Sequence, residues 1–177
     1  MSLKLFCFSV FIFSFQATAS EKDFKIGGKN FSVSFPATWD AKEGIVGLPL
    51  AVLGPMQKDR TRPVVSFTGP DKETTKAFMD AEFVKALRKK LTSTRQSWAK
   101  KHKVKIIDFL PSELKKLPKG QRLSFGVRYD REGKRKTEIS YYITCNGMFV
   151  MSKLMMTAAN EGFLSEAEGI VESLQCK

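Results

Sequence analysis

The sequence predicts an α+β domain: a mostly antiparallel sheet flanked by helices. Three observations carry this. The runs TEISYYITC and MFVMSKLMMT alternate in polarity on either side of Asn146-Gly147, a dipeptide that accepts both positive φ values of a type I′ hairpin turn. Phe163, Ala167, Ile170, Val171 and Leu174 follow directly at the spacing of one helical stripe. Upstream, the stretch from Asp71 to about His102 contains neither proline nor glycine and repeats apolar residues with a helical period.

The chain opens on a basic Met1–Lys4, an apolar core from Leu5 to Phe15 and a small-residue site Ala17-Thr18-Ala19. This pattern predicts a signal peptide over 1–19 and a single mature domain over 20–177. The apolar run is well short of the roughly 20 residues that span a bilayer. A periplasmic or secreted location follows, with 158 mature residues, enough for one sizeable core.

Asp23–Ile26 and Asn30–Phe35 flank Gly27-Gly28 as a first hairpin, with Phe31, Val33 and Phe35 on one face. Pro36 ends that ladder because it has no N–H to donate, and Trp39 is placed as a cap on the core. Ile45–Leu53 is apolar but interrupted by glycine and proline, so it reads as a bulged strand or part loop. Met56–Arg62 is a polar loop and Pro63–Thr68 a short strand.

The long helix takes Asp71 as its cap. Ala77, Ala81, Val84, Leu87, Leu91 and Trp98 trace its buried side, widened by Phe78 and Phe83, and Thr92-Ser93-Thr94 is a weak point that bends or breaks it. Val104–Leu110 is a strand, Pro111–Gly120 a connector with one short helical turn, and Arg122–Tyr129 the strand that turns at Asp130–Gly133 into the final hairpin. With a two-residue turn that hairpin pairs Cys145/Met148, Ile143/Val150, Tyr141/Ser152, Ile139/Leu154 and Thr137/Met156 on a largely apolar face. The other face carries Thr144/Phe149, Tyr142/Met151, Ser140/Lys153 and Glu138/Met155 and is mixed. Helices on the same side would leave this second face partly open; on opposite sides they would cover it.

Once the leader is removed, Cys145 and Cys176 are the remaining cysteines, and an even pair in an oxidising compartment reads as a disulfide. His102 is the only histidine and sits among cations in Lys100-Lys101-His102-Lys103, with no acidic orienting partner nearby. The carboxylate pairs Asp71/Glu73, Asp80/Glu82 and Glu166/Glu168 are two apart, and such pairs on a helix do not share a face. These residues predict no catalytic set, no metal site, no cofactor and no enzyme.

The formal charge of +12 is the one chemical feature above background. Candidate contacts for an anionic partner are Lys85, Arg88, Lys89, Arg95, Lys100, Lys101 and Lys103 along the helix, and Arg131, Lys134, Arg135 and Lys136 near the turn before the final hairpin. An exported protein rarely meets nucleic acid, and aromatic residues are not interleaved with the basic ones, so no nucleic acid is expected. An envelope protein, anionic wall polymers or peripheral contact with anionic lipid head groups are expected instead, from a protein that acts as a monomer.

The segment Phe31-Ser-Val-Ser-Phe35-Pro36-Ala-Thr-Trp39, the Leu53-Gly54-Pro55 turn, the Tyr141–Thr144 strand and the ending Phe163…Ile170-Val-Glu-Ser173-Leu174 resemble the PsbP-like superfamily, best its DcrB-type periplasmic branch. The resemblance implies an α/β/α sandwich around an antiparallel sheet and a non-enzymatic binding or assembly role. Metal ligands of the photosynthetic branch find no matching position here, since histidine is almost absent.

Overall fold

A computed structural model describes residues 19–69, 79–118 and 120–177. The leader expected over 1–19 falls outside these residues except for Ala19. Among the described residues, eleven strands and two α-helices follow in chain order: β1 (Ala19–Ile26), β2 (Lys29–Pro36), β3 (Asp40–Lys42), β4 (Leu50–Leu53), β5 (Val64–Thr68), α1 (Ala81–His102), β6 (Lys105–Phe109), β7 (Glu113–Leu117), β8 (Gly120–Arg131), β9 (Lys134–Cys145), β10 (Met148–Thr157), α2 (Leu164–Glu172) and β11 (Gln175–Cys176). The main sheet runs β3-β4-β5-β10-β9-β8-β6, with β7 also on β8, and a smaller one runs β1-β2-β11. The strand pairings described are antiparallel.

The final hairpin forms in the register its alternation demands, with Met148 opposite Cys145, Val150 opposite Ile143 and Leu154 opposite Ile139. Asn146 and Gly147 take φ of 50° and 73°, the left-handed pair that a two-residue primed turn requires. Odd-numbered β9 residues face one core with Phe31, Val33, Leu50, Phe67 and the α2 residues Ala167, Ile170 and Val171. Tyr142 and Phe149 face the other side and meet Leu87, Phe83, Val84 and Leu91 of α1. The helices therefore lie on opposite faces, which resolves why the second face carries large side chains.

Cys145 and Cys176 are disulfide-bonded, with Cα atoms 6.0 Å apart. The bond pins β11 beside β2 and to the end of β9, and Asn146 Nδ2 donates to the Cys176 carbonyl at 3.3 Å. Trp39 is buried beside Phe163, its indole N–H donating to Glu166 at 2.7 Å.

Several expectations are corrected. Backbone at Asp80 is extended (φ −93°, ψ 174°), and its carboxylate accepts from Phe83 N at 2.7 Å, so α1 is capped there and begins at Ala81. Asp71, Ala77 and Phe78 lie outside the described residues, and Ala81 is exposed. The helix continues through Thr92-Ser93-Thr94, its far end closed by left-handed Lys103. Within Ile45–Leu53 the part-loop alternative holds: Leu50–Leu53 is a strand, and Ile45–Gly47 is a 3₁₀ turn with Val46 at φ 51° and 94% exposed.

The segment after Pro111 is strand β7, not a helical turn. It escapes a polarity reading because Glu113–Lys116 are all exposed, a charged edge with nothing to bury. The twelve-residue β8 outruns β6 and leaves an open hydrogen-bonding edge, which β7 continues on the far side of Leu110–Ser112. Gly120 permits the close packing at that end: a Cβ there would stand 1.8 Å from the Thr144 carbonyl oxygen.

Candidate anionic-partner surface

A helix buried on one side presents the residues about half a turn away to water. On α1 the buried side centres on Leu87, Leu91 and Trp98, so Lys85, Arg88, Lys89, Thr92, Ser93 and Gln96 share the opposite one. They line a shallow, open groove of about 450 Å³. Lys100, Lys101 and Lys103 continue the charge to the helix C-terminus, where cations complement the dipole.

The fold brings this end against the β8–β9 turn. Trp98 meets Tyr129 edge-on at 5.5 Å, and Lys105, Asp130 and Arg135 stand in one row across β6, β8 and β9. Arg131 and Lys134 are paired opposite each other beside the turn, with Lys136 two residues further along β9. Residues distant in sequence, Lys100–Lys105 and Arg131–Lys136, thus share one pole of the molecule. Acidic groups near it are few and engaged: Asp130 accepts from Gly133 N at 3.0 Å, and Glu132 lies 3.6 Å from Arg131.

Among the described residues, Lys85, Arg88, Lys89, Lys100, Lys101, Lys103, Lys134, Arg135 and Lys136 make no ion pair within 4 Å. Arg95 differs from its predicted company. It flanks the buried stripe, turns inward to Glu138, and lies over the Trp98 ring at 5.6 Å. Burial lowers its pKa, since charge is costlier away from water. Glu138, with 8% of its side chain exposed, also takes Lys153 at 3.2 Å.

The fold has solved counterparts. Cyanobacterial PsbP (CyanoP) from Synechocystis sp. PCC 6803 is similar at TM-score 0.52 and 12% identity, over 97% of both chains. LpqN, involved in cell envelope biogenesis of Mycobacterium tuberculosis, is similar at TM-score 0.55 and 13% identity, over 90% of this chain and 91% of that one. The fold is PsbP-like. A protein of Bacteroides thetaiotaomicron is similar at TM-score 0.50 and 13% identity over 86% of this chain, which spans 47% of it. The sequence matches no protein-family profile, and no curated protein is significantly similar to it.

Within this PsbP-like frame three of the carboxylates weighed as acid–base pairs hold structure. Glu166 accepts from Trp39, Asp80 caps α1, and Glu168 accepts from the Tyr141 hydroxyl at 3.3 Å; Asp71 and Glu73 lie outside the described residues. His102 is exposed, its ring 5.4 Å from Trp98.

One cation group that reads as surface charge is internal. Arg122 is 3% exposed, donates to Glu172 at 2.9 Å and stacks 5.5 Å from the Tyr141 ring. Lys115 donates to the same Glu172 oxygen at 2.7 Å. Burial, then the nearby Glu168 charge, pushes the Tyr141 phenol far above its usual range. No sequence signal marks this cluster: Arg122 stands opposite Ile143 only once β8 and β9 pair.

Proposed function

We propose that this protein is an exported, non-enzymatic binding factor of the cell envelope, of the DcrB-like kind, that docks an anionic partner along α1 and the β8–β9 turn. The observation that carries the reading is the row of cations without ion pairs on the outer side of α1, continued by the cations at the adjoining pole. The Cys145–Cys176 bond supports an oxidising compartment. The involvement of similarly folded LpqN in cell envelope biogenesis supports the setting, without transferring a partner. No reaction is assigned: Glu166, Asp80 and Glu168 are engaged in hydrogen bonding and capping, and Glu82 is an exposed residue of the first turn of α1.

The test is affinity capture from envelope extract, at low and physiological salt, with the wild type beside a Lys85→Glu/Arg88→Glu/Lys89→Glu variant. The reading expects a reproducible partner that the variant loses while melting normally. No partner at either salt, or one retained by the variant, contradicts it. A second reading, direct contact with anionic lipid or wall polymer, is favoured by the gathering of Lys100, Lys101, Lys103, Arg131, Lys134 and Arg135 at one pole. Vesicle binding should then fall steeply as salt shortens screening to about 8 Å near 0.15 M; absent or salt-insensitive binding removes it.

A further inference from the structure

On the α1-side face of the main sheet, one row across the strands is made almost wholly of small residues. Ala51 of β4, Ser66 of β5 and Ser140 of β9 flank Lys153 of β10 in register. The rows on either side carry Met151 and Met155. A row of short side chains between rows of long ones leaves a trough, which Leu48 also lines. The cavity holds about 290 Å³, at the lower edge of small-molecule sites.

Its chemistry is that of an anion site with an apolar rim. Lys153 lines it, with 41% of its side chain exposed. Glu138, the carboxylate beneath, is shared between Lys153 and Arg95, so the cluster keeps one positive charge. Burial and the Arg95 charge both lower the Lys153 pKa, the mark of two cations crowded onto one counter-charge. Ser140 and the half-buried Thr68 also line the trough, and their hydroxyls are available to a ligand there. Ser66 offers a third hydroxyl, donating at 3.4 Å to the Lys153 carbonyl.

We infer that this trough binds a small aliphatic monocarboxylate, its carboxylate on Lys153 and the Ser140 and Thr68 hydroxyls and its chain against Met151, Met155 and Leu48. The site is independent of the docking surface on the outer side of α1, and its ligand completes the charge balance of the Arg95–Glu138–Lys153 cluster.

The test titrates the folded protein with hexanoate, and in parallel with hexanol, following backbone and methionine-methyl NMR signals. Saturable shifts confined to Ser66, Thr68, Ser140, Met151, Lys153 and Met155, with hexanoate only, are expected. Lys153→Met leaves Glu138 balanced by Arg95, so the fold should survive, and affinity should fall about tenfold or more. A Thr68→Val/Ser140→Ala variant should weaken binding with Lys153 in place. Equal shifts with hexanol, shifts unaffected by Lys153→Met, or none up to the solubility limit would overturn the assignment. Loss of the docking partner in envelope extract leaves this result unchanged, so the two readings fail separately.

Discussion

Glu138 carries two cations in a setting where 8% of its side chain reaches water. Replacing it by glutamine leaves Arg95 and Lys153 facing each other without a counter-charge, and removing one partner of a buried pair costs more than the pair contributes. Glu138→Gln should destabilise the protein by about 3 kcal/mol, the low end of the range for such losses because Lys153 is partly solvated. Chemical denaturation checks this, and an unchanged midpoint would contradict it. Glu172 is a second such residue. Its carboxyl is held below the ordinary 4.5, first by the Lys115 hydrogen bond and then by the Arg122 charge, against a raising effect of burial. A carboxylate with depressed folded pKa contributes stability that is complete above the unfolded pKa and is lost as pH falls through the folded one. Melting curves below about pH 4.5 should therefore be flatter in Glu172→Gln than in the wild type; parallel curves would refute the role. Neither cluster was legible in the sequence, because Arg122 and Glu172 are 50 residues apart and nothing local joins Arg95 to Glu138. Arg95 consequently reads as surface charge until α1 is laid on the sheet.

Elements were legible in proportion to how strongly their own pattern committed them. The β9–β10 register, the I′ turn and the α2 stripe are written in consecutive residues, and the structure follows them pair by pair. Strand β7 has no such pattern; it exists because β8 is longer than β6, a fact of tertiary pairing. The start of α1 was misplaced for a related reason: the run without proline or glycine gives no sign of the extended backbone at Asp80, which caps the helix from Ala81. The disulfide belongs to this scale, since it ties β9 to β11. Cys145→Ser and Cys176→Ser should each cost about 3–4 kcal/mol and lower the melting temperature, with the double variant no worse than either single. Two free thiols titrating in the denatured, unreduced protein would contradict this bond.

At the scale of the molecule, both faces of the eight-stranded sheet are covered, one by α2 with the smaller sheet and the other by α1. The arrangement was half legible: two amphipathic helices require buried faces, but only the large side chains of Tyr142 and Phe149 favoured opposite sides over one. Charge was legible as quantity and not as place. Arg122 and Arg95 turn inward to carboxylates, whereas Lys100–Lys105 and Arg131–Lys136, apart in sequence, meet at one pole. The docking proposal depends on that partition between engaged and unpaired cations. Lysine-directed cross-linking in envelope extract, followed by mass spectrometry, tests it most directly. The account predicts partner cross-links at Lys85, Lys89, Lys100, Lys101, Lys103, Lys134 and Lys136. Cross-links concentrated instead on Lys22, Lys25, Lys29 and Lys177, around the smaller sheet, would contradict it.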